Sequence, residues 1–322
     1  MNPRHELRLL QTMALACTVA TVGLSPTRAV AKEIPPVAVS GGAGPSDSPA
    51  INVDGTCVAF QSASTTTVAG DTNDAIDVFV SDVGSGMIPD PGQVNTTRIS
   101  VASDGAQANG HSYEPAVSSD CRYVAFTSLA SNLVADDTNG VADVFVHDRV
   151  THATTRVNTG TDGSQGYAPA SSPAISGDGR FVVFDTAGGA TSSGARVFVH
   201  DRSTGPASEI ALPHARSLRQ PSISADGRYV AFNSYSPTGL PGDYYDDGVW
   251  LHDRNTGTTQ QIATAPTPDL PILGRPAIDA DGSTVAFTVS SLAAGGVRTW
   301  EVRVFDRLAG ESRRLSYARA SD

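Results

Sequence analysis

The chain has 322 residues and a formal net charge of −11, from 22 basic and 33 acidic side chains. The phosphates of nucleic acids and anionic membrane surfaces repel such an acidic chain, so we expect neither as a partner. Glycine and proline are frequent, with 31 and 20 residues, and after the first thirty residues no segment repeats apolar side chains at helical spacing. This composition is typical of an all-β protein with many turns.

The N-terminal segment has the features of a secretory signal peptide. Arg4 and Arg8 precede a mostly apolar run over residues 9–24, and a small-x-small cleavage site follows it. We therefore predict a signal peptide over residues 1–31. A membrane anchor is one alternative, but it needs about 20 strongly apolar residues, and this run contains several polar ones. A lipoprotein signal ending at Cys17 is another alternative.

Cleavage would set both the charge and the location of the mature protein. Removing the first 31 residues takes away three arginines and one glutamate, which leaves 19 basic and 32 acidic residues and a net charge of −13. The sequence therefore predicts a secreted or extracytoplasmic protein, extracellular or periplasmic, that is not inserted in a membrane after cleavage.

The rest of the chain divides into a short lead-in, residues 32–46, and a repeat-containing domain, residues 47–322. Within the lead-in, the segment Val37–Ser40 has the pattern of a single strand and could pair with the last repeat. In the domain, a segment of the type Pro-Ala-Ile-Ser-x-Asp-Gly occurs five times. The five copies begin at Pro49, Pro115, Pro173, Pro221 and Pro276.

Each repeat contains the pattern of four strands. An Asp-Gly turn leads from the first strand to an apolar second strand such as Val124-Ala125-Phe126, and a third strand such as Val144-Phe145-Val146 follows. The third strand ends in an acidic residue, and a turn then leads to a fourth strand. Each repeat is thus predicted to form a four-stranded antiparallel meander.

These repeats predict a β-propeller. The unbroken apolar run of the second strand indicates a sheet that is covered on both faces, and no predicted helix is available to cover it. Neighbouring sheets must then stack face to face, and radial stacking of units of about 50 residues produces a propeller. We predict five blades, with six as the alternative. A flat β-sandwich would leave the five copies of one unit unexplained.

Two kinds of recurring segment, the proline segment and the third strand, resemble the WD-like repeats of TolB-type propellers. The resemblance is clearest at Pro173–Arg180 and Pro221–Arg228, and in the Val-Phe-Val-His-Asp-Arg strands at Val144–Arg149 and Val197–Arg202. It implies the propeller fold over nearly the whole mature chain, but it implies no activity, because repeats of this kind occur in proteins with unrelated functions. TolB has a further α/β domain before its propeller, and the lead-in is too short to form one. We therefore do not expect TolB's role in envelope assembly here.

Two cysteines remain after cleavage, Cys57 and Cys121, in the same part of consecutive repeats. An oxidising compartment favours a disulfide between neighbouring blades. Two separate buried thiols are the alternative.

An acidic loop follows the second strand in the first two repeats. Carboxylate and amide oxygens at alternate positions suit a hard cation, so calcium is a possible cofactor. The candidate ligands are Asp71, Asn73, Asp77, Asp137, Asn139 and Asp143. The alternative is that these side chains stabilise turns by accepting hydrogen bonds from their own backbone.

The candidate ligand-binding residues belong to the rim that carries the long loops, because binding usually resides in loops on a rigid scaffold. Most of them directly precede a repeat proline, beside the predicted central channel, or lie in the links that lead there. These are His111, Tyr113, Glu114, Tyr167, His214, Arg219, Gln220 and Arg275. Tyr244 and Tyr245, in an acidic loop of the fourth repeat, complete the set.

A His-Asp-Arg triplet ends the third strand in three repeats, beginning at His147, His200 and His252. It resembles a catalytic dyad, but residues that the repeat itself fixes are more consistent with turn capping and local pairing. We therefore expect a structural role for the triplets.

Two functional hypotheses follow. The first is a non-catalytic binding scaffold that recognises a protein or glycan of the cell envelope or exterior through its loop-rich rim, with calcium as a possible stabilising ion. The second is a secreted hydrolase or lyase with its site at the mouth of the central channel, where Glu114, His111, His214 and Arg275 would converge.

Overall fold

The computed structural model describes residues 45–84, 94–160, 162–166, 168–187, 194–212, 217–235, 247–264, 273–292 and 298–315. The predicted signal peptide and the segment Val37–Ser40 lie outside these residues. The described chain forms twenty strands in five separate antiparallel sheets of four strands each. Among these residues there is no helix of the length and apolar character needed to cross a membrane.

The strands of each sheet follow one another in sequence. Sheet 1 contains β1 (Ser46–Ile51), β2 (Cys57–Ser62), β3 (Asp77–Asp82) and β4 (Asn95–Arg98). Sheet 2 contains β5 (Ser112–Val117), β6 (Tyr123–Ser128), β7 (Asp143–Asp148) and β8 (Thr154–Arg156). Sheet 3 contains β9 (Ala170–Ile175), β10 (Phe181–Thr186), β11 (Arg196–Asp201) and β12 (Ala207–Ile210). Sheet 4 contains β13 (Leu218–Ile223), β14 (Tyr229–Ser234), β15 (Gly248–Asp253) and β16 (Thr258–Thr264). Sheet 5 contains β17 (Leu273–Ile278), β18 (Thr284–Leu292), β19 (Arg298–Asp306) and β20 (Glu311–Arg314).

The sheets are the five blades of a β-propeller, as the repeats predict. The first strands of consecutive blades contact one another: β5 lies against β1 and β9, and β13 lies against β9 and β17. The first strand of each blade is therefore the innermost one, and it borders the central channel.

The core lies between the blades. Consecutive blades enclose four apolar clusters, one at each junction from blade 1 to blade 5. The second-strand phenylalanine of each later blade packs on the blade before it; these residues are Phe126, Phe184, Phe232 and Phe287. Each is at most 4% exposed, and burying one such side chain contributes roughly 1.5–3 kcal/mol.

A glycine–aromatic contact joins blades 2 to 5 at the Asp-Gly turns. Gly179 lies against the ring of Tyr123, Gly227 against Phe181, and Gly282 against Tyr229, so closely that a Cβ at any of these glycines would overlap the ring. An arginine from the later blade covers the same ring at a distance of 3.9–4.3 Å from its centroid. These arginines are Arg202, Arg254 and Arg307.

A disulfide makes the same connection between blades 1 and 2. Cys57 occupies the aromatic position of the repeat and Cys121 occupies the glycine position, and the two are bonded across the junction. Cys121 also has the left-handed backbone of a turn glycine, with a φ of 62°. The predicted bridge is present, and it replaces a non-covalent contact that the other three junctions repeat.

The junction between blade 5 and blade 1 lacks this connection among the described residues. The aromatic position of blade 5 is Thr284 and the arginine position of blade 1 is Val83. A Cβ at Gly55 would meet only Ile51 of its own turn. Among the described residues, the disulfide and the glycine–aromatic contacts thus join only the four junctions from blade 1 to blade 5.

Candidate functional site

The innermost strands share a β-bulge at the residue before the repeat proline. In four blades this residue has a left-handed backbone, with φ between 51° and 57°. These residues are Ser48, Glu114, Ser172 and Gln220. Such a conformation costs about 1–3 kcal/mol for a non-glycine residue, so surrounding contacts must hold it.

A polar side chain of the preceding blade holds the bulge amide in three cases. The N–H of Glu114 donates to Gln61 Oε1 at 2.9 Å. The N–H of Ser172 donates to Glu114 Oε2 at 2.8 Å. The N–H of Gln220 donates to Asp185 Oδ2 at 2.7 Å. The channel wall is therefore a chain of polar contacts that runs from blade to blade.

Asp185 is a member of this wall that the sequence analysis did not select. It is 5% exposed. Burial raises the pKa of its carboxyl, and the hydrogen bond from the Gln220 N–H opposes this increase. A signal was present in the sequence. The residue after the second-strand phenylalanine is polar in every blade, but its type varies: Gln61, Thr127, Asp185, Asn233 and Thr288.

Arg275 extends from blade 5 toward blade 3. In blade 5 the left-handed residue is Gly274, with φ 82°, and Arg275 follows it. Its Nη1 donates to the carbonyl oxygen of Pro173 at 3.0 Å. The residue as a whole is exposed, but protein surrounds its guanidinium. This burial lowers the pKa of the guanidinium, and the negative charges of Glu114 and Asp185 oppose the effect. The structure thus brings predicted residues of three blades to one channel.

The other predicted ligand-binding residues have more varied surroundings. His111 is exposed, and its Nδ1 accepts the Ile76 N–H at 2.9 Å. Tyr113 is half-buried, and burial, with the nearby charge of Glu114, raises the pKa of its hydroxyl. Arg219 is exposed on β13. Four further predicted residues lie outside the described part of the chain: Tyr167, His214, Tyr244 and Tyr245.

The acidic loop of blade 1 is closed by an arginine. Arg98 Nη2 lies 3.0 Å from Asp71 Oδ1, and Arg98 Nε lies 3.3 Å from Asp77 Oδ2. Asn73 Nδ2 donates to Asp77 Oδ2 at 3.0 Å, and the N–H of Ala75 donates to Asn73 Oδ1 at 3.2 Å. A guanidinium and amide donors thus already occupy the oxygens that a cation would need.

The loop of blade 2 repeats this arrangement. Arg156 Nη1 lies 3.4 Å from both Asp137 Oδ1 and Asp143 Oδ2. Asn139 Nδ2 donates to Asp143 and also to the Gly166 carbonyl at 2.7 Å. These residues do not fit a calcium ion, because an arginine supplies the positive charge between the carboxylates. Within the described ranges, no group of three or more metal-ligating side chains is present.

We expect the melting temperature of the mature protein to be the same in millimolar calcium and in chelator. A ligand that bound only the native state would raise the melting temperature by mass action, and here Arg98 and Arg156 already lie against the carboxylates that would bind the ion. Differential scanning calorimetry in the two buffers measures this. A rise with calcium that Asp137→Ala abolishes would restore the calcium prediction.

The His-Asp-Arg triplets hold turns and neighbouring strands. Asp148 Oδ1 accepts the Val150 N–H at 2.9 Å and the Arg122 Nε–H at 2.9 Å. These hydrogen bonds, that of Arg122 above all, lower the pKa of Asp148. His147 Nδ1 lies 2.9 Å from Thr154 Oγ1 in a buried position. The contacts agree with the predicted structural role.

His147 should make the protein less stable in acid. Burial, followed by the charge of His152, lowers its pKa from 6.5 to about 4. The unfolded chain therefore takes up the proton first, so the stabilisation is complete above pH 6.5 and is lost as the pH falls toward 4. A shift of this size corresponds to up to about 3 kcal/mol. Urea unfolding at pH 7 and at pH 4.5 should show a smaller loss for His147→Asn than for the wild type. An equal loss in both proteins would contradict the prediction.

Backbone hydrogen bonds link the turns of neighbouring blades on the Asp-Gly rim. On the rim of the Asp-Gly turns, the N–H of Gly177 donates to the Ala225 carbonyl at 2.8 Å, and the N–H of Ser119 donates to the Gly177 carbonyl at 2.9 Å. The Ala225 N–H continues the series to Ala280 at 2.9 Å. A Cβ at Gly177 would lie 2.6 Å from Ser119 Oγ. These hydrogen bonds join the Asp-Gly turns of blades 2 to 5, and the bulge residues lie toward the other end of the innermost strands.

No family model and no curated protein matches this chain. Solved structures do resemble it. TolB from Acinetobacter baumannii aligns with a TM-score of 0.50 and 17% identity, over 84% of this chain and 53% of that protein. A putative TolB from Agrobacterium tumefaciens aligns with a TM-score of 0.51 and 15% identity, over 84% of this chain and 80% of that protein.

A prolyl endopeptidase structure aligns equally well, with a TM-score of 0.51 and 15% identity, over 85% of this chain but only 35% of that protein. The chain thus spans about half the length of the A. baumannii TolB and about a third of the endopeptidase. Sequence identities this low support a shared fold but not a shared activity. The chain has the fold of a TolB-like β-propeller, with five blades of four antiparallel strands.

Proposed function

We propose that this chain is an extracytoplasmic, non-catalytic binding scaffold. It holds a protein or glycan of the cell envelope or exterior at the channel mouth on the loop-rich rim. The observation that carries this proposal is that polar side chains of blades 2, 4 and 5, those of Glu114, Gln220 and Arg275, lie toward the end of the innermost strands that adjoins the loop-rich rim. A rigid ring that presents loops and a few convergent polar groups is a common form of binding site.

The location rests on the disulfide between Cys57 and Cys121, because such bonds persist in oxidising compartments outside the cytoplasm. The predicted signal peptide agrees with it. The charge of the chain supports a partner that is neither nucleic acid nor an anionic membrane surface. Calcium is not part of the proposal, because arginines lie between the carboxylates of both acidic loops.

The alternative, a hydrolase or lyase, needs an acid and a base that meet one substrate atom. Two of the residues predicted for this role, His111 and Glu114, already accept hydrogen bonds, and His214 lies outside the described residues. His111 Nδ1 accepts a backbone N–H, and Glu114 Oε2 accepts both the Ser172 N–H and the Thr127 hydroxyl, at 2.8 and 3.2 Å. Binding therefore explains these residues with fewer rearrangements than catalysis does.

Site-directed blocking of the two rims tests the proposal. Ser48→Cys places a thiol at the exposed bulge of blade 1, and Ser203→Cys places one at an exposed turn on the opposite rim. Each variant is labelled with a bulky maleimide, and binding of partners captured from the envelope and extracellular fractions is titrated. We expect the label at position 48 to abolish saturable binding and the label at position 203 to leave it unchanged. Equal binding by both labelled variants, or the absence of any saturable partner, would overturn the proposal.

A further inference from the structure

Most arginines of the described chain have an evident structural partner. Eight form ion pairs with carboxylates: Arg98, Arg122, Arg149, Arg156, Arg180, Arg196, Arg228 and Arg314. Three others cover aromatic rings at the blade junctions: Arg202, Arg254 and Arg307. In an acidic protein this pairing is expected, because carboxylates are in excess.

Arg219 and Arg275 differ from these arginines. Among the described residues, no carboxylate lies within ion-pair distance of either guanidinium, and neither covers a ring. Each makes one hydrogen bond: Arg219 Nε donates to Ser217 Oγ at 3.3 Å, and Arg275 Nη1 donates to the Pro173 carbonyl at 3.0 Å. A guanidinium carries five N–H donors, so most donors of both side chains remain available.

The two arginines belong to neighbouring blades. Arg219 is on β13 and Arg275 is on β17, and these innermost strands of neighbouring blades contact one another. Both residues are exposed, although protein surrounds the guanidinium of Arg275. Arg219 directly precedes the bulge residue Gln220, and Arg275 directly follows the bulge residue Gly274. The structure therefore presents two available cations at the channel mouth of a protein whose net charge is strongly negative.

The nearby acids do not neutralise this pair directly. Glu114 Oε2 is held by the Ser172 N–H, and Asp185 Oδ2 is held by the Gln220 N–H. Their charges still reach Arg275. A dianion such as phosphate would feel this negative charge twice as strongly as a monoanion would. A carboxylate carries a single charge, and its two oxygens match the planar fork of a guanidinium.

We propose that Arg219 and Arg275 form a subsite for a carboxylate group of the ligand. The inference rests on the proposed binding function and specifies its chemistry. Two sources could supply the group, the C-terminus of a peptide or the carboxylate of a uronate sugar. In either case Glu114 Oε1 and the Gln220 amide can meet a neighbouring hydroxyl or amide of the ligand.

Paired probes test the subsite. Titration calorimetry with the mature protein compares N-acetyl-trialanine with its C-terminal amide, glucuronate with glucuronamide, and both with inorganic phosphate. We expect at least one of the two acids to bind at least tenfold more tightly than its neutral partner and than phosphate. Which acid binds identifies the source of the carboxylate. Arg275→Gln and Arg219→Gln should each weaken the binding of that acid by about tenfold. This decrease in affinity corresponds to the loss of one charge-assisted contact.

Arg196→Gln is the matched control, since this arginine is part of a surface ion pair with Glu209 away from the innermost strands. It should leave binding unchanged, and the melting temperatures show whether each variant is folded. Equal binding of acid and neutral partner, tighter binding of phosphate, or no effect of the two channel variants would overturn the inference. If neither acid binds while the label at position 48 still abolishes partner binding, the subsite is wrong and the proposed function stands.

Discussion

Replacing Gly227 by alanine should destabilise the protein by about 2–5 kcal/mol. The residue has a φ of 73°, and an added Cβ would overlap the Phe181 ring of the neighbouring blade. The left-handed backbone alone costs roughly 1–2 kcal/mol for a residue with a side chain, and overpacking against the ring adds about 1–3 kcal/mol. Arg254 covers the same ring at 3.9 Å from its centroid, which limits how far the ring can move away.

Gly257→Ala provides the control in the same blade. Its φ is 70°, and nothing lies within 4 Å of the position that a Cβ would take. It should therefore show the backbone cost alone. Urea unfolding of both variants measures the difference, which is the contribution of the blade contact. Similar losses in the two variants would mean that the glycine–aromatic contact does not hold neighbouring blades together.

Removing the disulfide should cost about 2–4 kcal/mol. The bond joins residues 64 positions apart, so its loss frees a long loop in the unfolded chain. Cys57→Ser combined with Cys121→Ser tests this by urea unfolding without reductant. The structure makes a second prediction, because the two cysteines occupy the aromatic and glycine positions of the repeat.

Cys57→Tyr combined with Cys121→Gly should recover part of the lost stability. The pair restores the contact found at the other junctions, and glycine is favoured at position 121, where φ is 62°. Reductant should lower the stability of the wild type but not that of this variant. If the Cys57→Tyr, Cys121→Gly variant is no more stable than the double serine variant, the disulfide and the glycine–aromatic contact are not equivalent.

The repeat explains why the fold could be predicted. The recurring proline segment, the apolar second strand and the Asp-Gly turn all encode local structure, and their number sets the number of blades. The structural role of the His-Asp-Arg triplets could be predicted for the same reason, since a triplet that recurs at the same position of three repeats is explained by the structure that those repeats share.

The candidate site was less predictable because it depends on contacts between blades. Glu114, Gln220 and Arg275 could be selected from their position before the repeat proline. Asp185 was missed because it lies on a second strand, and only the packing of neighbouring blades brings it to the channel. The acidic loops were interpreted as possible calcium ligands because the sequence near Asp71 gave no sign of its ion pair with Arg98. The two residues are distant in sequence.

Hydrogen exchange on the complex with a captured partner tests most directly which rim binds. The links over residues 99–111 and 157–160 flank the mouth on the loop-rich rim, and the turns over residues 149–153 and 202–206 lie on the other. We predict that binding slows exchange in the two links and leaves the two turns unchanged. Slower exchange in the turns, with no change in the links, would contradict the account.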